Sequence, residues 1–253
     1  MNEWNAEQYM KFARERTQPS VDLISRLDFS PRSILDIGCG PGNSTAMLKD
    51  RFPNAKILGV DSSDNMLKKA RESYPELEFK KCFVPDGLSA LGKFDLIFSN
   101  ACLHWIPDHE ALLPKLIEKL NDGGRLAVQM PLVQYAPFYK TLSELVEDKW
   151  QKLSKIKNFH NLLPDETYDI LSTASLDITM WETTYYHIVS SCEGVIDWYK
   201  GSGLRPYLDA LNEDEQKKFL SDLLCAIKEK YHIAPDGSVI LKMPRLFFVA
   251  VKN

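Results

Sequence analysis

Short apolar runs alternate with longer amphipathic stretches along the first half of the chain. The apolar runs predict strands near residues 33–37, 56–60, 78–82, 94–99 and 124–130. The stretches between them predict helices near residues 43–51, 63–73 and 109–120, and two short helices are predicted within residues 4–27, separated near Pro19. Strands that alternate with helices in this way predict a parallel sheet covered by helices on both faces.

The alternation stops near residue 131. Beyond it, a helix is predicted near residues 138–153 and a strand over residues 177–189, which are rich in Thr, Tyr and Ile. Residues 191–230 predict helices around a loop at residues 201–203. A long strand is predicted over residues 238–251, after the turn Pro235-Asp236-Gly237. The second half therefore adds two late strands and several helices to the alternating core.

The first predicted strand runs into a glycine-rich loop. The segment Ile34-Leu35-Asp36-Ile37-Gly38-Cys39-Gly40-Pro41-Gly42-Asn43 leads into a helix that Asn43 or Ser44 is predicted to cap. The second strand ends in Asp61, twenty-one residues after Gly40. Strand, glycine loop, helix, strand and carboxylate in this order are typical of a site for a nucleoside-bearing ligand. A tight turn followed by an ordinary surface carboxylate is the alternative interpretation.

The spacing of the glycines narrows the choice of ligand. A dinucleotide-binding loop has the pattern G-x-G-x-x-G, whereas this loop is G-x-G-x-G with Pro41 inside it. Asp36 would repel a pyrophosphate but would suit a positive group, such as the ammonium of an amino acid. Asp61 can accept hydrogen bonds from both hydroxyls of a ribose, and Met66 on the next helix can pack near an adenine. An amino acid joined to a ribose and an adenine describes S-adenosylmethionine.

Composition excludes several other classes of protein. A chain of 253 residues with 44% hydrophobic residues fits one large α/β domain. The net charge of −4 and the lack of a Lys/Arg-rich run give no reason to expect nucleic-acid binding. We expect neither a signal peptide nor a membrane span, and hence a cytoplasmic protein. The 5 cysteines are odd in number and lack C-x-x-C spacing, so neither a disulfide framework nor a metal site is expected.

The loop segment from Leu35 to Thr45 resembles the cofactor motif of class I S-adenosylmethionine-dependent methyltransferases. More narrowly, nearly the whole chain resembles the trans-aconitate methyltransferase family. The segments that carry this second resemblance are Trp4-Asn5 with Tyr9, Phe94–Asn100, Trp105–His109, Leu126–Pro131, Thr183–His187, Ile196–Trp198, Gly203–Pro206 and Pro244–Phe247. The glycine motif is specific only to the superfamily, whereas Thr-Thr-Tyr-Tyr-His and Gly-Leu-Arg-Pro are far more specific.

The resemblance implies an α/β fold with a Rossmann-like, seven-stranded, mixed and mostly parallel sheet, helices on both faces and a helical lid. It implies a single methyltransferase domain over residues 1–253. Within that domain, N-terminal helices would occupy residues 1–28 and the cofactor-binding core residues 29–131. Lid insertions would occupy about residues 132–175 and 191–235, with closing strands at about 177–189 and 238–251.

The resemblance also implies which residues bind S-adenosyl-L-methionine. Phe83 stands after the third strand, where an acid usually holds the adenine amino group, and Asp86 follows three residues later. The residues expected to bind the cofactor are Asp36, Gly38, Cys39, Gly40, Gly42, Asn43, Asp61, Ser62, Met66, Phe83 and Asn100. Those expected to bind the acceptor are Arg205, Trp105, His104, Tyr185, Tyr186, Arg16, Trp4 and Tyr9, and Arg245 lies in another matching segment.

Several of these acceptor assignments have alternatives. Arg205, beside Gly203 and Pro206 on a constrained loop, could instead be a surface arginine paired with Asp209. Trp105 could form an apolar wall beside the methyl group or pack in the core. Because successive residues of a strand face opposite ways, only one of the two adjacent tyrosines can point at the acceptor.

The implied reaction is methyl transfer to a carboxylate of a small polycarboxylic acid, trans-aconitate, giving a monomethyl ester and S-adenosylhomocysteine. A carboxylate with a pKa of about 4 is ionised at neutral pH, so no catalytic acid or base is expected. Catalysis would consist of holding the acceptor and excluding water. The alternatives are another acid or hydroxyl acceptor, with His104 as base for the latter, an NAD-dependent oxidoreductase, and a non-catalytic S-adenosylmethionine-binding protein.

Overall fold

The computed structural model describes residues 13–156, 159–174 and 176–253, and side chains from residue 17 onward. Seven strands form one mixed sheet in the order β3-β2-β1-β4-β5-β7-β6. The strands are β1 Ser33–Ile37, β2 Lys56–Asp61, β3 Glu78–Lys81, β4 Phe94–Asn100, β5 Leu120–Pro131, β6 Leu176–Val189 and β7 Val239–Lys252. Pairing is parallel from β3 through β5, so the expected Rossmann-like α/β fold is confirmed.

Helices connect the strands of the first half of the chain, as the sequence pattern predicts, and further helices lie in the second half. They are α1 Ala13–Ser25, α2 Asn43–Arg51, α3 Asp64–Ser73, α4 His109–Glu118, α5 Pro137–Lys149, α6 Pro164–Ser172, α7 Cys192–Lys200, α8 Arg205–Asp209 and α9 Glu213–Lys230. Within the described residues, none of them has the length and apolar composition needed to cross a membrane.

Alternation of side chains along the central strands builds two packed faces. On one face Leu35, Ile97 and Val128 join a hydrophobic cluster that includes residues of α4 and α6. The intervening residues of the same strands point to the opposite face, where α1 packs against α2 and β5. Both faces are therefore covered, which is why these strands are almost entirely apolar.

The chain divides into two compact units. The first comprises residues 1–131, 160–182 and 246–253, and the second comprises residues 132–159 and 183–245. Strands β6 and β7 each contribute residues to both units. Helix α6 lies in the range that the resemblance assigns to a lid, but it belongs to the first unit and packs against α4.

Aromatic stacking and ion pairs stabilise the second unit. The rings of Phe138 and Tyr199 stack with centroids 3.5 Å apart, and Tyr139 packs edge-on against Tyr199 at 5.4 Å. Between α5 and α9, the indole N–H of Trp150, just beyond α5, donates to Asp222 at 3.0 Å. Lys230 of α9 forms an ion pair with Glu144 of α5. These contacts hold α5, α7 and α9 together.

Three local predictions are wrong. Helix α1 continues through Pro19 instead of ending there, because the buried Pro19 and Ser20 pack with the helix and offset the lost backbone hydrogen bond. Strand β5 begins at Leu120 instead of near residue 124, because Leu120 already pairs with Phe94 and a register shift lies inside the strand. The predicted side-chain cap of α2 is absent. Gly42 occupies the position before the helix, and the Ser44 hydroxyl donates to Asp36 instead of capping the helix.

Candidate active site

The glycine loop between β1 and α2 has left-handed backbone at each glycine. The φ values are +71° at Gly38, +54° at Gly40 and +93° at Gly42. A Cβ on Gly38 would lie 2.3 Å from Cys102, and one on Gly42 would lie 2.8 Å from the Tyr74 ring. Among the described residues, a Cβ on Gly40 would meet nothing within 4 Å. Packing of the protein itself therefore requires Gly38 and Gly42, whereas Gly40 leaves space beside the described residues where a ligand can lie.

Asp61, at the end of β2, holds this loop in place. Its Oδ2 accepts a hydrogen bond from the Gly40 N–H at 3.0 Å, and its Oδ1 accepts one from the Ser63 N–H at 2.9 Å. The N–H groups of Gly38 and Cys39 donate to the Val60 carbonyl at 2.8 and 3.0 Å. Each carboxylate oxygen of Asp61 retains a lone pair, so ribose hydroxyls can still donate to it.

Asp36 lies beneath the loop and is fully buried. Its Oδ2 accepts hydrogen bonds from Ser44 Oγ at 2.7 Å and from Thr45 Oγ1 at 2.6 Å. Its Oδ1 is buried and has no hydrogen-bond partner in the described part of the chain. On the neighbouring strand β4, Oδ1 of Asn100 is likewise buried and has no hydrogen-bond partner among the described residues.

Burial controls the charge of the two acids. Desolvation raises the pKa of Asp36 to about 6, a rise that the Ser44 and Thr45 hydroxyls oppose and the nearby Asp61 charge supports. Desolvation also raises the pKa of Asp61, against the hydrogen bonds from Ser63 and Gly40. A ligand cation beside Asp36 would return its pKa toward the usual range, which favours binding of a positive group there.

A cleft opens above the loop within the first unit. Asn43, Met47 and Asn100 line it together with Thr17 and Ser20 of α1, and its floor is the stretch Gly38 to Pro41 with Ser44. The structure thus brings together five of the predicted cofactor residues at this cleft, namely Gly38, Cys39, Gly40, Asn43 and Asn100. Thr17, Ser20 and Met47 were not identified from the sequence.

Three predicted cofactor residues lie after β2 and β3. Met66 is buried in the first turn of α3, where its N–H is capped by the Ser63 hydroxyl at 3.4 Å. Ser62 is exposed. Phe83 leaves 59% of its surface exposed, and the Lys81 ammonium lies 5.6 Å from its ring centroid. An exposed ring beside the loop that follows β3 offers a flat apolar surface to a heteroaromatic group.

Two cysteines near the loop are poor nucleophiles. Burial, followed by the charges of Asp36 and Asp61, raises the pKa of the Cys39 thiol far above its usual range. Burial and the same two acids raise the pKa of Cys102 likewise. Both thiols therefore stay protonated and serve as small packing groups.

His104 and Trp105 form a short 3-10 turn after β4, in the first unit. His104 is buried and its ring lies 5.1 Å from that of Trp105, which is partly exposed. The His160 N–H donates to the His104 carbonyl at 2.9 Å. Nearby His109 is buried, bonds through Nε2 to the Leu103 carbonyl at 2.9 Å, and has a pKa lowered by desolvation. It is therefore a structural, neutral histidine.

Three further predicted acceptor residues, Tyr185, Tyr186 and Arg205, lie in the second unit. Tyr185 is partly buried and its ring lies parallel to that of His187, which in turn stacks on Trp198 at 4.9 Å. Tyr186 is 63% exposed, as expected for the opposite side of a strand. Arg205 is partly buried and begins α8 instead of lying in a loop.

Gly203 fixes the approach to Arg205. A Cβ on Gly203 would lie 2.3 Å from the Tyr139 hydroxyl, so a larger residue would require the Tyr139 side chain to move. The Leu204 N–H donates to the Tyr199 carbonyl at 2.9 Å, which closes the turn that leads into α8. Arg245, on β7 of this unit, is 9% exposed. Three predicted residues cannot be placed: Trp4 and Tyr9 lie outside the described residues, and so does the side chain of Arg16.

The first-unit cleft fits the methionine end of S-adenosylmethionine. An ammonium group has three N–H donors, and the two partnerless oxygens on Asp36 and Asn100 are acceptors on adjacent strands. Gly40 leaves space against the backbone, and Asp61 offers acceptors on the neighbouring strand. Among the described residues, no cluster of acids, histidines and cysteines has the makings of a metal site.

Comparisons with known proteins identify the family that this chain is similar to. A family model described as a methyltransferase domain matches residues 34–124. A trans-aconitate 2-methyltransferase of Rhodopseudomonas palustris (strain BisB5) is 39% identical over 100% of both chains. That of Escherichia coli (strain K12 / DH10B) is 39% identical over 99% of this chain and 98% of its own.

Solved structures share the fold at lower identity. The YcgJ protein of Bacillus subtilis matches with a TM-score of 0.62 and 17% identity, covering 93% of this chain and 99% of its own. A phosphoethanolamine N-methyltransferase of Haemonchus contortus, solved with S-adenosylhomocysteine, matches with a TM-score of 0.57 and 18% identity over 93% of this chain and 53% of its own. At such identities these matches show the architecture alone.

Proposed function

The chain belongs to the trans-aconitate 2-methyltransferase family, and we propose that it transfers the methyl group of S-adenosyl-L-methionine to a carboxylate of trans-aconitate. The products are the monomethyl ester and S-adenosylhomocysteine. Full-length similarity to curated relatives carries this proposal. The cleft around Asp36 and Gly40 supports it, because its donors and acceptors suit the methionine end of the cofactor.

The residues of the first unit would hold the cofactor, which when bound supplies a methyl group on a sulfonium sulfur. Asp36 and Asn100 would accept hydrogen bonds from its ammonium group. Asp61 would accept hydrogen bonds from the ribose hydroxyls, while Met66 and the exposed Phe83 ring would contact the adenine. This arrangement places the loop backbone at Gly40 against the bound molecule.

Transfer to a carboxylate needs no base in the protein. A carboxylate oxygen of the acceptor would form the new bond to the methyl carbon with one of its own electron pairs. The electron pair of the broken carbon–sulfur bond would stay on the sulfur. Because the acceptor is already ionised at neutral pH, the protein needs only to align it and to exclude water. The buried thiols and the neutral His109 are consistent with a site that performs no proton transfer.

Acceptor recognition would use cations and hydrogen-bond donors. A guanidinium can bind a carboxylate through two parallel hydrogen bonds, which suits Arg205, with Arg16 and Arg245 as further cations. His104, Trp105, Tyr185 and Tyr186 complete the set of proposed acceptor-binding residues, together with Trp4 and Tyr9. The fixed turn at Gly203 supports the role of Arg205, since a positioned guanidinium loses less entropy on binding.

Methyl transfer from radiolabelled S-adenosyl-L-methionine tests this function directly. The acceptors to compare are trans-aconitate, cis-aconitate, citrate and isocitrate, with a fatty acid and a phenol as acceptors of other classes. We expect the highest kcat/KM with trans-aconitate and a monomethyl ester by mass spectrometry. Methylation of the phenol alone, or of none of these acceptors, would overturn the proposal.

Arg205→Ala tests the acceptor side separately. Loss of a charge-assisted contact should raise the KM for trans-aconitate by about 10- to 100-fold, with cofactor affinity nearly intact. The matched control is Lys200→Ala, a nearby cation of the same unit that pairs with Asp197 at 3.1 Å on the surface of α7. Equal KM values in both variants would show that Arg205 is only a surface residue.

A further inference from the structure

The side-chain amide of Gln129 is buried and has no hydrogen-bond partner among the described residues. It lies near the carboxyl end of β5 and is fully buried, and neither its Nε2 nor its Oε1 meets a partner in the part of the chain described here. Most buried side-chain polar atoms are hydrogen-bonded, because an unmet donor or acceptor destabilises the folded state. A buried side-chain amide whose nitrogen and oxygen both lack a protein partner is therefore expected to form hydrogen bonds with a molecule other than the protein.

The register of the sheet places Gln129 beside the cofactor cleft. Gln129 pairs with Asn100 of β4, and the Ala101 N–H donates to the Gln129 carbonyl at 3.0 Å. Paired residues on neighbouring strands lie about 4.8 Å apart with their side chains on the same face. Asn100 lines the cleft and has its own partnerless oxygen. The two amides are thus neighbours at the carboxyl edge of the sheet.

The side chain of Gln129 points away from the main hydrophobic cluster. Its neighbours Val128 and Met130 belong to that cluster on the other face. Gln129 shares its face with Asn100, which it pairs with, and with Asp36, which pairs with Phe98 two residues before Asn100. Each of the three carries a buried polar atom without a partner among the described residues. Three such residues on one face of the sheet suit ligands that are enclosed away from water.

We infer that Gln129 binds the acceptor, its Nε2 donating a hydrogen bond to an oxygen of the acceptor carboxylate. This inference rests on the proposed function. Asn100 lines the cofactor cleft, and Gln129 lies one strand beyond Asn100, on the side away from the glycine loop. Methyl transfer requires the acceptor to lie directly beside the cofactor. A neutral amide donor suits a carboxylate oxygen without adding a charge to the buried site.

Gln129→Met and Gln129→Glu test this role, with kinetics, calorimetry and thermal unfolding as readouts. Methionine keeps the shape but cannot donate, so we expect the KM for trans-aconitate to rise about 10- to 100-fold, whereas the Kd for S-adenosylmethionine should change less than about threefold. Glutamate is isosteric, repels a carboxylate and should raise KM further. Because methionine removes an unmet amide, the Tm of the ligand-free Gln129→Met protein should rise.

Asn121→Leu is the matched control at the other end of the same strand. The Asn121 amide is satisfied, since it donates to Asp95 at 2.7 Å, so its loss should lower Tm and leave KM unchanged. A raised Tm with unchanged KM in Gln129→Met would show that the Gln129 amide binds an enclosed water instead of the acceptor. A raised Kd for S-adenosylmethionine would show that the amide contacts the cofactor. Either result overturns the inference while wild-type methyl transfer continues. Absence of transfer by the wild type counts against the proposed function instead.

Discussion

Replacing Asp61 with alanine tests the ribose assignment and the construction of the loop together. The carboxylate accepts backbone hydrogen bonds from Gly40 at 3.0 Å and from Ser63 at 2.9 Å. Under the proposed function, it also accepts two hydrogen bonds from the ribose. Asp61→Ala removes both sets of contacts, so cofactor affinity and stability should both fall.

The size of the affinity loss follows from the ribose contacts. Two hydrogen bonds to a charged acceptor contribute about 1.5–3 kcal/mol each, so the loss is about 3–6 kcal/mol. At about 1.4 kcal/mol per factor of ten, the cofactor Kd should rise by about 100- to 10,000-fold. The Gly40 and Ser63 N–H groups are partly reached by water, so the loss of unfolding free energy should be only about 1–2 kcal/mol.

Isothermal titration calorimetry with S-adenosylhomocysteine measures the affinity, and urea denaturation measures the stability. Asp64→Ala is the matched control, because Asp64 is a carboxylate three residues away whose side chain is 62% exposed and pairs with Lys81. That variant should leave Kd unchanged and alter stability by less than about 0.5 kcal/mol. A folded Asp61→Ala protein with wild-type Kd would refute the ribose assignment. A wild-type unfolding free energy would refute the role of Asp61 in holding the loop.

Three further predictions concern the loop and the second unit. Because burial raises the pKa of Asp36 to about 6, above its value in the unfolded chain, the stability linked to its proton is present at low pH and is lost as pH rises through the folded pKa. Asp36→Asn should therefore raise the unfolding free energy by on the order of 1–3 kcal/mol near pH 8 and by less near pH 4, and equal gains in urea denaturation would contradict this. Gly42→Ala should lower Tm more than Gly40→Ala, because its new Cβ would lie 2.8 Å from the Tyr74 ring, whereas a Cβ on Gly40 meets no described residue within 4 Å. Calorimetry should show that Gly40→Ala lowers the affinity for the cofactor. The reverse pattern would refute the packing argument. Gly203→Ala should lower Tm, because its new Cβ would lie 2.3 Å from the Tyr139 hydroxyl. Adding Tyr139→Phe removes that hydroxyl and should restore part of the loss. An unchanged Tm in the double variant would show that this clash is not the cause.

The alternating part of the fold could be predicted because β1, β2 and β4 contain apolar runs, although Phe79 is the one buried residue of β3. The runs at β1, β2 and β4 end where the predicted site begins, so the topology placed Asp36, Asp61 and Asn100 at one edge. Helix α6 was not predicted, although Pro164 followed by two acids is a helix-start signal.

Side-chain partnerships in the site could not be predicted. The sequence pattern suits Ser44 as a helix cap, but its hydroxyl instead donates to the buried Asp36, and only the folded backbone brings them together. Gln129 stands in a segment that reads as an ordinary buried strand. Its importance lies in the absence of partners among the described residues, which is a property of three-dimensional packing.

The position of β7 has a consequence for biosynthesis. It is the last strand of the sheet to leave the ribosome, yet it lies between β5 and β6. Until it is made, β5 has one unpaired edge and β6 has two, and unpaired strand edges can pair with other nascent chains. A stalled or truncated translation product that lacks residues 239–252 would therefore expose three strand edges. Such products are expected to depend on chaperones or to aggregate, while the glycine loop and Asp61 could already be in place.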